Sequence, residues 1–335
     1  MRLEDLAGQD HAVALLLRAV AARRVPHGYL FDGPPGVGKR SAAVGLGLAL
    51  ICPQAPGKGC GRCDVCHRVL GGNHPDVRVI VPATQFILMD QVQEIVRLGS
   101  TRAHEAPARV LVLDEADRMT TSGANSLLKT LEEPYPNTYL VLISTVPDKL
   151  PQTILSRTQR VRFVPVRPAV LVEEGLRRGV ERGRAELAAA LAAGSVARFW
   201  ELLGTEGEDA LWKIASDLRR AAGARDMGAI FDAALAVGDK EGKEGLPDVL
   251  ALLGRFYRDA LAAAAGASDL VLLRGHAGEL ERLAGTAARH PQLGPLRRAL
   301  AAVVEADEAL LAQANAVLAV ERMLLEMRPC ERGAA

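Results

Sequence analysis

Two groups of residues in this chain are of the right type and spacing to do chemistry. The first is Gly33-Pro34-Pro35-Gly36-Val37-Gly38-Lys39, which satisfies the pattern G-x-x-x-x-G-K. Glycines allow successive backbone N–H groups to turn inward around a phosphate. A following helix N-terminus favours negative charge, and Lys39 brings a point charge to the outer phosphates. The position after the lysine normally carries Ser or Thr, whose hydroxyl ligates Mg²⁺, and here it is Arg40. A guanidinium cannot coordinate a cation and repels one. Ser41, one residue on, is rotated by about 100° around the helix and is a poor substitute. The pattern predicts a loop able to hold ATP or another phosphate, with Mg²⁺-dependent hydrolysis in doubt. Downstream, Val110-Leu111-Val112-Leu113 is an apolar run that ends in Asp114 and Glu115. Asp114 is suited to holding Mg²⁺ through water, and Glu115 to polarising an attacking water.

The second group is Cys52-x7-Cys60-x2-Cys63-x2-Cys66, four of the five cysteines in the chain. Four thiolates close a tetrahedral Zn²⁺ shell with no open position, which makes the metal structural. Exchange of one ligand for His67 or His74, buried structural cysteines, or an iron–sulfur cluster are the competing readings. Cys330 stands apart and is read as a bystander.

These residues must be positioned by a parallel sheet. Apolar runs at His27–Phe31, Val77–Val81, Arg109–Leu113 and Tyr139–Ser144 alternate with helix-compatible stretches, the first of them Lys39–Ile51. Strands alternating with helices imply an α/β fold with helices on both faces. Asp90 and Gln93 suggest a capped helix start, with Val92, Ile95 and Val96 as its buried stripe. After Pro165–Pro168 the periodicity is helical to the end. Gly238–Gly245 reads as an exposed connection, and a single long helix is predicted over roughly Pro295–Met327.

The bulk numbers fit this picture. A length of 335 residues calls for two or three domains, and 49% hydrophobic with 24% charged residues is the composition of a folded globular protein. With a net charge of +1 and only 4% aromatics, a free-standing nucleic-acid-binding protein is disfavoured. No signal peptide is read at the start. The longest uncharged apolar run is too short to span a bilayer, so the expected location is cytoplasmic, away from membranes.

The stretch from Leu6 to Arg162 resembles bacterial DNA polymerase III clamp-loader AAA+ subunits. The resemblance is carried by Gly8-Gln9, Pro26-His27 leading to Tyr29-Leu30-Phe31, the phosphate loop, and the cysteines just after the loop helix. It continues in Asn125-Ser126-Leu127-Leu128-Lys129-Thr130-Leu131-Glu132-Glu133-Pro134 and Leu150-Pro151-Gln152-Thr153-Ile154-Leu155-Ser156-Arg157. Asn315–Leu325 looks like the last helix of the family's oligomerising collar. The resemblance implies an AAA+ P-loop NTPase module over 1–165 with a zinc module at 52–66. A small helical lid over 166–206 and an all-α collar over 207–335 follow. It implies a hetero-pentamer with other clamp-loader subunits that acts on a sliding clamp and primed DNA.

Ser156-Arg157-Thr158 stands where the family has Ser-Arg-Cys, so the resemblance implies that Arg157 is an arginine finger acting in trans on a neighbour's ATP. Ser144 and Thr145 stand where the family senses the γ-phosphate. In Gly194-Ser195-Val196-Ala197, alanine occupies the place of the lid arginine, with Arg198 one residue late. Arg40 and Ala197, together with a length that leaves no room for the motor's long extension, fit the delta-prime class better than the ATP-hydrolysing gamma/tau class. Asp114 and Glu115 fit the motor.

Overall fold

In a computed structural model the structure describes residues 1–204, 207–238 and 245–332. The connection expected at Gly238–Gly245 lies for the most part outside the described residues, as does the 206/207 boundary. The chain divides into two compact units, Met1–Val170 with Gly194–Ala197, and Leu171–Ala193 with Arg198–Ala335.

The first unit contains β1 (Gly28–Asp32), β2 (Val77–Ile80), β3 (Arg109–Leu113), β4 (Thr138–Ser144) and β5 (Gln159–Arg162) in a single sheet. The spatial order is β2-β3-β4-β1-β5, and every pairing is parallel. Period-two alternation sorts the strand residues onto two faces. Tyr29, Phe31, Val110, Val112, Val141 and Ile143 join one core. Leu30, Leu111, Leu113, Leu140 and Leu142 join the other. α1 (Asp10–Ala21), α2 (Lys39–Ile51) and α3 (Asp64–Leu70) cover the first face through Leu16, Leu46 and Cys66. α4 (Met89–Gly99), α5 (Thr121–Glu132) and α6 (Gln152–Leu155) cover the second through Ile95, Leu127 and Ile154. Burial on both faces explains why β1 and β3 read as unbroken apolar runs.

Two local expectations are corrected. α4 begins at Met89, and its start is held by the Gln91 carboxamide, whose Oε1 accepts the amides of Leu88 (3.1 Å) and Ala83 (3.2 Å), where Asp90 and Gln93 were expected to cap it. β5 is a fifth strand where four were expected. Only Val161 is buried in its sequence Gln-Arg-Val-Arg, because it lies at the sheet edge.

The second unit is helical. α7 (Pro168–Arg177) enters it, α8 (Arg182–Leu191) follows, and α9 (Val196–Gly204) re-enters it after the excursion to the first unit. α10 (Gly207–Gly223), α11 (Gly228–Gly238), α12 (Leu246–Ala264), α13 (Ala277–Ala287), α14 (Gly294–Leu311) and α15 (Ala316–Arg332) complete it. The single terminal helix expected over Pro295–Met327 is two helices. Gln313 takes a left-handed φ of 59°, and Asn315 Oδ1 accepts the Leu318 amide (3.2 Å) as a new N-terminal cap. The two helices share a core through Leu296, Val303, Val320 and Leu324.

A buried polar cluster fastens the last helix. Glu331 accepts from Tyr257 Oη (2.5 Å) and Arg219 Nε (2.9 Å), while Arg219 also donates to Glu279 (2.8 Å) and stacks over Phe256. Among the described residues no helix is long and apolar enough to cross a membrane.

Candidate nucleotide site and metal centre

The phosphate loop follows β1 and opens α2, at the C-terminal ends of the parallel strands, where open α/β sheets bind ligands. Gly33, Gly36 and Gly38 all have positive φ. At Gly36 (φ +72°) a Cβ would lie 2.0 Å from Ser195 Oγ, so the loop can pass beneath the 194–197 segment only as glycine. Two loop carbonyls are tied to the surrounding protein. The Ala197 amide donates to the Gly36 carbonyl (3.1 Å). Gln9, 2% exposed, donates Nε2 to the carbonyls of Val37 (3.2 Å) and Val164 (2.7 Å), and its Oε1 accepts the Val164 amide (3.2 Å). The sequence singled out Gly8-Gln9 only as a likeness; the structure makes Gln9 a clamp on the loop.

Lys39 is 6% exposed and donates Nζ to the carbonyls of Gly33 (2.5 Å) and Pro34 (2.6 Å). Burial lowers its pKa, against the opposing pull of Asp114, Asp117 and Asp32. Pro35 is exposed at the loop's tip, and Ser41 lies one step along α2.

Arg40 does not point idly into solvent. Its Nε donates to Asp114 Oδ2 at 2.5 Å, and Asp114 Oδ1 accepts the Glu115 amide at 2.9 Å. Both oxygens of the carboxylate expected to hold Mg²⁺ are therefore engaged, one of them by a cation built into the chain. Such a carboxylate takes up a hydrated dication only after that pair opens. Glu115 adopts a left-handed φ of 50°, and its carboxylate pairs with Arg118 at 2.7 Å. Ser144 Oγ donates to Asp117 Oδ1 (2.6 Å), and the same oxygen accepts the Thr145 amide (3.1 Å), while the Thr145 side chain is exposed. Asp117 thus organises the end of β4, a role its place at the end of an acidic string did not reveal.

Arg157 lies at the far side of β1, after α6. Glu132 Oε1 accepts from its Nε (2.6 Å) and forms an ion pair with Nη2 (2.5 Å), and Nη1 donates to the Thr153 carbonyl (3.1 Å). Arg198, beside Ala197, pairs with Glu201 (2.9 Å) and with Asp248, all within the second unit.

The four cysteines meet. Their sulfurs all lie within 4.8 Å of one another, with Cys52–Cys63 at 4.0 Å and Cys60–Cys66 at 3.8 Å. A tetrahedral shell with Zn–S of ~2.3 Å has S···S edges of about 3.8 Å, whereas a disulfide would need ~2.05 Å. The spacing fits a four-thiolate metal site, and all four cysteines are free. The amides of Ala55 and Cys60 donate to Cys52 Sγ (both 3.3 Å), and such bonds steady a thiolate ligand. The exchange for His74 fails: that ring is 1% exposed, accepts the Asp76 amide on Nδ1 (3.1 Å), and faces Glu105 with Nε2 (3.3 Å). Among the described residues, the cysteine cluster is the group placed to hold a metal, and His67 is not in it.

Residues 8–167 match the family model described as DNA polymerase III, delta subunit. The chain is 35% identical to the DNA polymerase III subunit delta-prime of Bacillus subtilis over 54% of this chain and 55% of that one. It is 34% identical to the DNA polymerase III subunit tau of the same organism, over 51% of this chain and 30% of that one. A solved DNA polymerase III gamma-subunit-related protein from Thermotoga maritima aligns over 95% of this chain and 99% of its own, with 18% identity and a TM-score of 0.45. The chain thus spans about half the length of the delta-prime relative and less than a third of the tau relative. The family match falls on the part of the chain that holds the phosphate loop and the cysteines, just under half of its length, and there the chain is similar to DNA polymerase III subunits, delta-prime among them.

Proposed function

We propose that this chain is a delta-prime-type stator of a clamp loader. It is a member of a hetero-pentameric ring that opens a sliding clamp and sets it on primed DNA in the cytoplasm, with Arg157 acting on ATP held by the neighbouring subunit. The observation that carries this reading is the 2.5 Å pair between Arg40 and Asp114. It occupies the place where a motor subunit needs Mg²⁺, so the chain's contribution to turnover must lie elsewhere. Arg157 is the group available for that task, because a guanidinium stabilises charge developing on a transferred γ-phosphoryl. In this reading the first unit is the AAA+ module over 1–165, the lid spans 166–206, the collar spans 207–335, and Cys52, Cys60, Cys63 and Cys66 hold a structural Zn²⁺.

A second reading, an ATP-hydrolysing motor of gamma/tau type, draws on Asp114-Glu115 and on the likeness to tau. One experiment separates the two. ATP turnover is measured for the isolated chain and for the reconstituted loader carrying Arg157→Ala. The stator reading expects negligible turnover from the isolated chain and a loss of up to ~10³-fold at one site of the complex. Brisk Mg²⁺-dependent turnover by the isolated chain, or an undiminished Arg157→Ala complex, refutes it.

A further inference from the structure

Away from the phosphate loop and the cysteines, the Glu132 carboxylate lies against Arg157. We infer that Glu132 is a positioning residue that aims the Arg157 guanidinium at its target, an inference that rests on Arg157 acting in trans. A guanidinium offers five N–H donors in a rigid fork. Glu132 Oε1 faces the Nε/Nη2 edge, accepting from Nε at 2.6 Å and pairing with the charge on Nη2 at 2.5 Å. Nη1 is engaged by the Thr153 carbonyl at 3.1 Å and distantly by Ser156 Oγ at 3.4 Å. On the Nη1/Nη2 edge, Nη2 has no protein acceptor among the described residues. It is the donor that an incoming anion would meet.

The backbone is equally fixed. A Cβ on Gly28 would stand 3.1 Å from the Arg157 carbonyl and 2.9 Å from Leu131, so the first residue of β1 seats the arginine turn directly against the end of α5, where Glu132 lies. Thr158 Oγ1 closes the turn on the Ile154 carbonyl at 3.1 Å. Strand, helix end and carboxylate together hold one side-chain direction.

Stability does not explain the pair. The side chains of Arg157 and Glu132 are 37% and 48% exposed, and exposed ion pairs contribute little to folding. What the pair supplies is order: a long flexible side chain is set in one rotamer before its target arrives, and pre-paid orientation is worth rate. A Gln at 132 keeps an acceptor oxygen in the same place, whereas Ala leaves the guanidinium free to rotate.

The test is steady-state ATP turnover of the reconstituted loader containing Glu132→Ala, Glu132→Gln or Arg157→Ala in this chain, with thermal melting of each isolated variant. We expect Glu132→Ala to lower kcat at the neighbouring site by roughly 10- to 100-fold, with KM for ATP and melting temperature close to the unsubstituted values. Glu132→Gln is expected to recover most of that loss. A kcat unchanged or raised by Glu132→Ala, while Arg157→Ala is impaired, overturns the positioning role and leaves the stator reading intact. A Gln that fails to rescue also overturns it. Full activity of Arg157→Ala instead sinks the reading on which the inference stands.

Discussion

Arg40→Thr replaces a built-in cation with the hydroxyl that a magnesium site requires, and its effect can be sized. Arg40 and Asp114 have side chains 55% and 10% exposed, so the lost ion pair is largely screened and costs at most about 1 kcal/mol of stability. The electrostatic effect on a dication is larger. Two unit charges 4 Å apart interact by ~1 kcal/mol in water and ~4 kcal/mol at an effective dielectric of 20. Against Mg²⁺ the guanidinium therefore costs between ~2 and ~8 kcal/mol, and the exposure of Arg40 puts the value near the lower end. Removing ~2 kcal/mol of repulsion is worth roughly 30-fold in affinity. The assay is titration of the isolated chain with a fluorescent ADP or ATP analogue, with EDTA or with millimolar Mg²⁺. The unsubstituted protein is expected to show the same affinity, within ~2-fold, in both buffers. Arg40→Thr should gain at least ~10-fold from Mg²⁺. If the unsubstituted chain already requires magnesium for tight nucleotide binding, or if Arg40→Thr stays indifferent to it, the claim that Arg40 fills the cation seat fails.

Further outcomes follow from other contacts. Metal analysis should return about one zinc per chain, and Cys63→Ser with Cys66→Ser should abolish it and lower the melting temperature; iron with visible absorption would refute the assignment. Gly36→Ala, whose Cβ would lie 2.0 Å from Ser195 Oγ at a φ of +72°, should destabilise by about 1–2 kcal/mol in chemical denaturation, whereas Ser195→Ala alone should be mild. Burial alone would raise the Asp76 pKa, but the amides of Glu105, Ala106 and His104 and the Arg109 guanidinium outweigh it and hold the carboxyl below its usual 3.8. That stabilisation is complete above the unfolded value and fades as pH falls through the lower folded one. Asp76→Asn should therefore cost about 3 kcal/mol at neutral pH and lose less on acidification, read from denaturation midpoints between pH 7 and 3.

How much of this the sequence could reveal depended on burial and on chain distance. β1, β3 and β4 were legible because parallel strands covered on both faces must be apolar throughout. β5 was not, since an edge strand needs only one inward residue, Val161. The break between α14 and α15 hid in alanine-rich sequence that favours helix on both sides, and its one signal was Asn315, a good N-cap. At the site, the wrong residue after Lys39 was visible, but not its destination, for Asp114 lies 74 positions away. Glu132 and Arg157 are 25 positions apart and lie in two separate motifs, so nothing local couples them. The cysteine spacing needed no structure to suggest a metal. It took geometry to send His74 toward Asp76 and Glu105.

The sheet order has a last consequence, at its borders. A five-stranded open sheet leaves two rows of unpaired backbone donors and acceptors, along β2 and β5. Both borders are only four residues long, and both carry arginine, Arg78 on one side and Arg160 and Arg162 on the other. Arg160 folds back to Asp32 at 2.7 Å, laying its stem along the rim. Margins this short, with Arg78 paired to Glu94 at 3.4 Å and Arg160 to Asp32, give a stray strand too little length to grip. Copies of this chain should thus resist ribbon-like stacking while crowded together, leaving other surfaces to govern which neighbours they accept.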